Sequence, residues 1–151
     1  MANTQAMCTS FKKELLTGHH AFGTTVVRGA TTADTFKAAL YLASATVDAS
    51  TTAYSATGEV SGANYTAGGV SVTFGTAPNT SGTTAFVTPS ASIVYTNVTL
   101  STAFDAVLIY NSTQSDRAVS VHTFGSQTIT AGTLTLTMPT NDATNALLRI
   151  A

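Results

Sequence analysis

The side chains best suited to catalysis or metal binding lie near the start of the sequence, in the stretch MCTSFKKELLTGHHAFG from Met7 to Gly23. This stretch contains the single cysteine, Cys8, and two of the three histidines, His19 and His20. A thiol beside an imidazole, oriented by an Asn or Asp, is the arrangement of a catalytic nucleophile. No recognised local signature surrounds Cys8, and a cysteine beside a helix start fits a buried apolar face. We therefore assign no catalytic residue and expect that the chain is not an enzyme.

Adjacent histidines are also candidate metal ligands. Neighbouring residues on a strand point to opposite faces, so His19 and His20 cannot easily reach one ion. The sequence has no Cys-x-x-Cys, no His-x-x-x-His and no cluster of acidic residues that would complete a ligand set. We predict no metal site and no cofactor, and we interpret the two histidines as part of a helix-to-strand junction.

Acidic residues offer no more obvious chemistry. The seven carboxylates lie at apparent turns or strand ends, where Asp and Glu are ordinary. The glycine pair Gly68-Gly69 predicts a tight turn, since the lysine and hydroxyl residue of a phosphate loop do not follow it. The acidic residues are Glu14, Asp34, Asp48, Glu59, Asp105, Asp116 and Asp142.

Two tyrosines stand apart from the strand patterns. Tyr54 and Tyr65 lie in a long tract of Ser, Thr, Ala and Gly from 43 to 69, together with Glu59. Tyrosine suits an interface because it offers a large contact area and a polar tip. We take Tyr54, Glu59 and Tyr65 as interface candidates, with simple anchoring of the loop as the alternative. A platform for stacking sugars is less favoured because the chain has no Trp.

The composition favours strands and argues against several function classes. Among 151 residues there are 31 Thr and 14 Ser, whereas charged residues make up only 9%. Thr is β-branched and fits a pleated, half-buried surface. The net charge of −1, with scattered basic residues, lacks the basic footprint that nucleic-acid binding requires. No apolar run of 18 residues is present, so we also expect no membrane association.

One short helix is predicted at the N-terminal end. Thr9 or Ser10 can cap it, and Phe11, Leu15 and Leu16 then share one side. A helix of about two turns does not persist alone in water. Phe11 and Leu15 are therefore interface candidates that pack on the chain's own core or on a neighbouring subunit.

The remaining elements are predicted strands, most clearly at 36–42, 92–100, 104–110 and 117–124. The stretch VLIYNSTQSDRAVSVHTFG from Val107 to Gly125 predicts a hairpin, with its first arm buried on both faces. Other short runs at 70–74, 85–87, 133–138 and 146–150, with a short edge strand at 59–61, complete a set punctuated by turns. This pattern is typical of a sandwich or barrel. We predict one all-β domain over 1–151, an antiparallel, jelly-roll-like sandwich of about eight strands, with 1–23 as a helical docking segment.

Four segments together resemble a widespread family of small tailed-bacteriophage structural proteins, most closely its head decoration, or cement, proteins. They occur here in the family's order and cover more than half of the chain: MCTSFKKELLTG, DTFKAALYLASATVDASTTAYSATGEVSGANYTAGG, VLIYNSTQSDRAVSVHTFG and TLTMPTNDATNALLRIA. The resemblance carries no catalytic motif. The dipeptide His19-His20 departs from the expected pattern, so the resemblance assigns it no role.

The resemblance implies a structural protein on the outer capsid surface of a virion, present in the host cytoplasm before assembly. Its implied partners are the major capsid protein and further copies of itself, as a dimer or small oligomer. Residues 1–7 and the 43–69 tract are expected to become ordered only on the capsid. The alternative is a tail-fibre or receptor-binding module that recognises host surface glycans.

Overall fold

The computed structural model describes residues 3–8, 10–11, 15, 19–24 and 32–151. Within these ranges the chain forms eight strands in two antiparallel sheets, which confirms the predicted all-β sandwich. One sheet has the order β1-β7-β6-β2-β3 and the other the order β4-β5-β8. The strands are β1 Ala6–Met7, β2 Phe36–Leu42, β3 Val70–Val72, β4 Asn79–Ser81, β5 Thr84–Val87, β6 Ile93–Asn111, β7 Arg117–Leu136 and β8 Leu148–Ile150.

The centre of the molecule is one long hairpin formed by β6 and β7, with 19 and 20 residues. Its five-residue turn, 112–116, lies where the sequence predicted it. The structure joins four predicted strands into two: 92–100 with 104–110, and 117–124 with 133–138. The pairing of β6 with β7 continues across the residues between them, with register shifts at those positions. Asn97 and Ala131 have positive φ at such shifts, as expected where a bulge adds a residue to one strand.

The core forms where β2 packs beside the middle of this hairpin. β2 runs over Phe36–Leu42, the bounds predicted, and pairs with β6 from Phe36↔Asn111 to Leu42↔Phe104. Ala106 to Tyr110 are buried along both faces, as predicted for that arm. The second arm is also buried on both faces from Ala118 to Val121.

The small sheet covers part of the core with shorter strands. Between the predicted strands 70–74 and 85–87, residues 79–81 form the additional strand β4, which pairs with β5 through a two-residue connection at Gly82-Thr83. The predicted strand 146–150 is shortened to β8, because Asp142 accepts the backbone N–H groups of Thr144 and Asn145 and holds the preceding residues in a turn.

The N-terminal segment is attached to the large sheet. β1 pairs with β7, and the Cys8 amide continues this contact by donating to the Val119 carbonyl. Ser10, Phe11 and Leu15 are helical, in agreement with the predicted helix. Its remaining positions, at 9, 12–14 and 16–18, lie outside the described residues, as do 1 and 2 of the segment expected to be mobile. Asn3 is fixed by its side chain, which donates to the Leu42 carbonyl and to the Asp105 carboxylate.

Candidate functional site

Glu59 gathers three hydrogen-bond donors from the long tract at 43–69. The Tyr54 hydroxyl donates to Oε2 over 2.6 Å, and the Tyr65 hydroxyl donates to Oε1 over 2.7 Å. The Gly68 amide donates to the same Oε1 over 2.8 Å. Hydrogen bonds to an ionised acceptor are roughly twice as strong as neutral ones. We call these four residues the Glu59 cluster.

Both tyrosine rings of the Glu59 cluster are stacked on tyrosines of the core. Tyr54 lies on Tyr110 with ring centroids 4.8 Å apart, and Tyr65 lies on Tyr95 at 6.0 Å. The Tyr65 oxygen also accepts the Leu40 amide over 3.0 Å. The observed contacts of Tyr54, Glu59 and Tyr65 are thus those of loop anchoring, and their role at an interface stays a prediction.

The tyrosines around Glu59 remain neutral donors. Burial raises the pKa of Tyr54 and of Tyr65 well above the ordinary value, and the neighbouring Glu59 adds to both shifts. Burial likewise raises the pKa of Tyr41 and of Tyr110 to about 12. These phenols therefore keep their protons, and hence their hydrogen bonds, throughout the physiological pH range.

Backbone contacts bring Glu59 to this position. A single antiparallel bridge joins Glu59 to Tyr41, and the Val60 amide donates to the Leu40 carbonyl. The predicted edge strand at 59–61 is thus reduced to one bridge beside β2. Gly69 closes the tract with φ +74°, and a Cβ there would overlap the Ala38 carbonyl oxygen. This position requires glycine for both conformation and space.

His20, one of the two adjacent histidines, belongs to a second polar cluster. Asn111, fully buried, contacts His20 Nδ1 through its side-chain nitrogen at 3.1 Å and donates to Asp34 Oδ2 over 2.9 Å. Asp34 also accepts the Ala21 amide and the Gln114 side-chain amide. The cluster joins the segment 19–24 to the end of β6, which agrees with a structural role for His20. No local sequence signal links residues 20, 34 and 111, so only the fold reveals it.

Cys8 and the interface candidates of the N-terminal segment are also engaged in the fold. Cys8 is fully buried in the core, with Sγ 3.8 Å from the Asp48 carbonyl oxygen. This confirms the buried apolar setting expected of it. Phe11 is buried as well, with its ring edge-on to that of His20 at 4.8 Å, and Leu15 is half-buried against the core. The interface candidates Phe11 and Leu15 therefore pack on their own domain.

A serine–histidine pair lies on β7, outside any sequence signal. Ser120 Oγ is 2.9 Å from His122 Nε2, the distance of a nucleophile and its base. Ser120 is only 2% exposed, so its hydroxyl is shielded from a substrate. Burial lowers the pKa of His122 to about 4, which keeps the imidazole neutral. The arrangement satisfies a buried hydroxyl, and we assign it a structural role.

An uncharged surface lies on the distal half of the long hairpin. Residues 93–103 and 123–137 contain no charged side chain. Their inward side chains, such as Tyr95, Leu100 and Leu134, belong to the core. We call the outward side the uncharged face; its exposed side chains are Val94, Thr96, Thr128, Thr130, Thr133 and Thr135. In the sequence, Thr alternates with Leu over 133–137, within the predicted strand 133–138.

Within the described ranges there is no group of three His, Cys, Asp or Glu residues placed to hold a metal ion. In the same part of the chain, no helix has the length and apolar character needed to span a membrane. Comparison with protein-family models, with curated proteins and with solved structures finds no match.

Proposed function

We propose that this chain is a structural protein of a tailed-bacteriophage virion, which decorates the outer capsid surface and stabilises the shell through protein–protein contacts. The four segments that resemble head decoration proteins support this proposal. Its structural support is the uncharged face, a solvent-exposed sheet surface whose two strands are paired along their length.

The uncharged face has the character of a contact surface. Removing a charge from water is costly unless it finds a partner, and interface centres are accordingly depleted in charged residues. Val94, which is 41% exposed, lies across from Thr135 in the β6–β7 pairing and adds an apolar contact point. Threonine methyl groups add further apolar area, and the hydroxyls can exchange hydrogen bonds with a neighbour.

The rigidity of that face favours binding as well. Both of its strands are paired and continue into the buried half of the hairpin, so few degrees of freedom are lost on contact. The Glu59 cluster and the polar cluster of His20, Asp34 and Asn111 fix the long connections around the same core. The proposed partner is the major capsid protein, whose lattice multiplies a weak contact into stable coverage.

Quantitative mass spectrometry of purified particles tests the proposed function. We expect a copy number comparable to that of the major capsid protein, on the order of hundreds per particle. Multivalent coverage of the lattice implies about one copy per lattice site. Immunogold labelling over the whole head is the matching expectation for location. A few copies confined to the tail tip would overturn the proposal and would favour a receptor-binding module.

A further inference from the structure

An apolar recess opens beside the edge of the small sheet. It has a volume of about 90 Å³. This volume lies between the roughly 30 Å³ that one water molecule occupies in the liquid and the cavity of about 150 Å³ that holds benzene in a protein core. Apolar side chains from both sheets and from the N-terminal segment line it, among them Met7, Phe11, Phe22, Ala85, Phe86 and Ile150. The recess has the size and character to receive one aliphatic side chain.

The rim of the recess carries a side chain of that kind. Ile150 lines the recess and is 50% exposed, which makes it the most exposed large hydrophobic residue among those described. Ile150 belongs to β8, the edge strand whose inner neighbour is β5. Within the described chain, no strand pairs with the other side of β8. A strand edge with an exposed isoleucine can pair with another chain, although β8 is short and has Arg149 at its middle position.

We propose that two copies of this chain associate through β8. The two β8 strands pair antiparallel about a twofold axis, and each Ile150 enters the recess of the other copy. The two small sheets then form one continuous sheet of six strands, β4-β5-β8 from one copy followed by β8-β5-β4 from its partner.

A second copy fits this surface better than an unrelated partner because the patch complements itself. A twofold interface uses the same residues on both sides, so it needs a protrusion and a matching recess within one patch. Ile150 and the recess that it lines lie in one patch, so the same patch offers both. The net charge of −1 opposes association only weakly. This dimer does not depend on the proposed function, since the uncharged face lies on β6 and β7.

Sedimentation velocity on the purified chain tests the proposal. At about 100 µM we expect a dimer, because a micromolar Kd is saturated there. Ile150→Lys should raise the Kd at least about tenfold, since two partly buried isoleucines are lost and two charges meet at the edge. Val94→Lys is the matched control: it places the same charge at the other large hydrophobic residue that is exposed among the described positions, and it should leave the dimer intact.

A second variant separates insertion of Ile150 from strand pairing alone. Ala85→Leu fills the recess from its wall and should weaken the dimer without lowering the melting temperature. A wild-type chain that stays monomeric at about 100 µM overturns the proposal. A dimer that resists Ile150→Lys, or one that tolerates Ala85→Leu at unchanged Kd, overturns it equally.

Discussion

The Glu59 carboxylate accepts three donors, and an amide in its place could accept at only one oxygen. Glu59→Gln leaves the hydroxyl of Tyr54 or Tyr65 facing an N–H₂ group. A buried donor that loses its acceptor is destabilising by about 1–3 kcal/mol. We expect a loss of unfolding free energy in this range, measured by urea denaturation.

The control for that variant is Asp116→Asn, which removes the same charge at an exposed turn position. Asp116 has φ +55°, a conformation that Asn also adopts readily. Its unfolding free energy should change by less than about 0.5 kcal/mol. Equal losses for the two variants would mean that net charge, rather than the hydrogen bonds of the Glu59 cluster, accounts for the effect.

His122 gives the chain a defined dependence of stability on pH. Its pKa is about 4 in the folded state, below the value of about 6.5 for an exposed histidine. Between these values the unfolded chain binds more protons, so unfolding free energy falls as pH falls, by at most about 1.4 kcal/mol per unit. We expect His122→Asn to flatten the curve between pH 7 and 5. A variant with the wild-type slope in this window would contradict the assignment.

Among the elements, the turn at Gly68-Gly69 is the tightest junction between the long tract and β2. Gly69→Ala introduces a Cβ that overlaps the Ala38 carbonyl oxygen in a left-handed conformation. Backbone strain of this kind is destabilising by about 1–3 kcal/mol, and displacement of β2 adds to it. We expect a clear drop in melting temperature by calorimetry. Gly125→Ala on β7, where a Cβ meets open space, should leave the melting temperature within about 2 °C or raise it.

Elements whose signals are local were predictable from the sequence. β2 and the turn at 112–116 follow from apolar runs and turn residues, which act over a few positions. The union of 92–100 with 104–110 was not predictable, because Ser101-Thr102-Ala103 has the composition of a loop. Cross-strand pairing and a bulge keep it extended. The contacts of the Glu59 cluster were not predictable for a related reason. Tyr95 stacks on Tyr65 from 30 positions away and Tyr110 stacks on Tyr54 from 56 positions away, and only the tertiary fold brings these rings together.

At the scale of the whole molecule, the proposed function predicts that the uncharged face binds the capsid and that the rest of the surface does not. Thr135→Lys places a charge on that face, directly across from Val94 in the β6–β7 pairing. If the face contacts the capsid, burying an unpaired ammonium weakens binding by several kcal/mol, or at least about a hundredfold. Co-sedimentation of labelled protein with capsids that lack it should show this loss.

Thr57→Lys supplies the control for this experiment, since Thr57 is an exposed threonine in the 43–69 tract and lies outside the uncharged face. Both variants should keep the wild-type melting temperature, because each replaced side chain is exposed. We expect Thr57→Lys to bind capsids as the wild type does. If both variants bound equally well, the uncharged face would not be the capsid contact, even where the copy number supports decoration. If both failed equally, the loss would come from the added positive charge and not from its location.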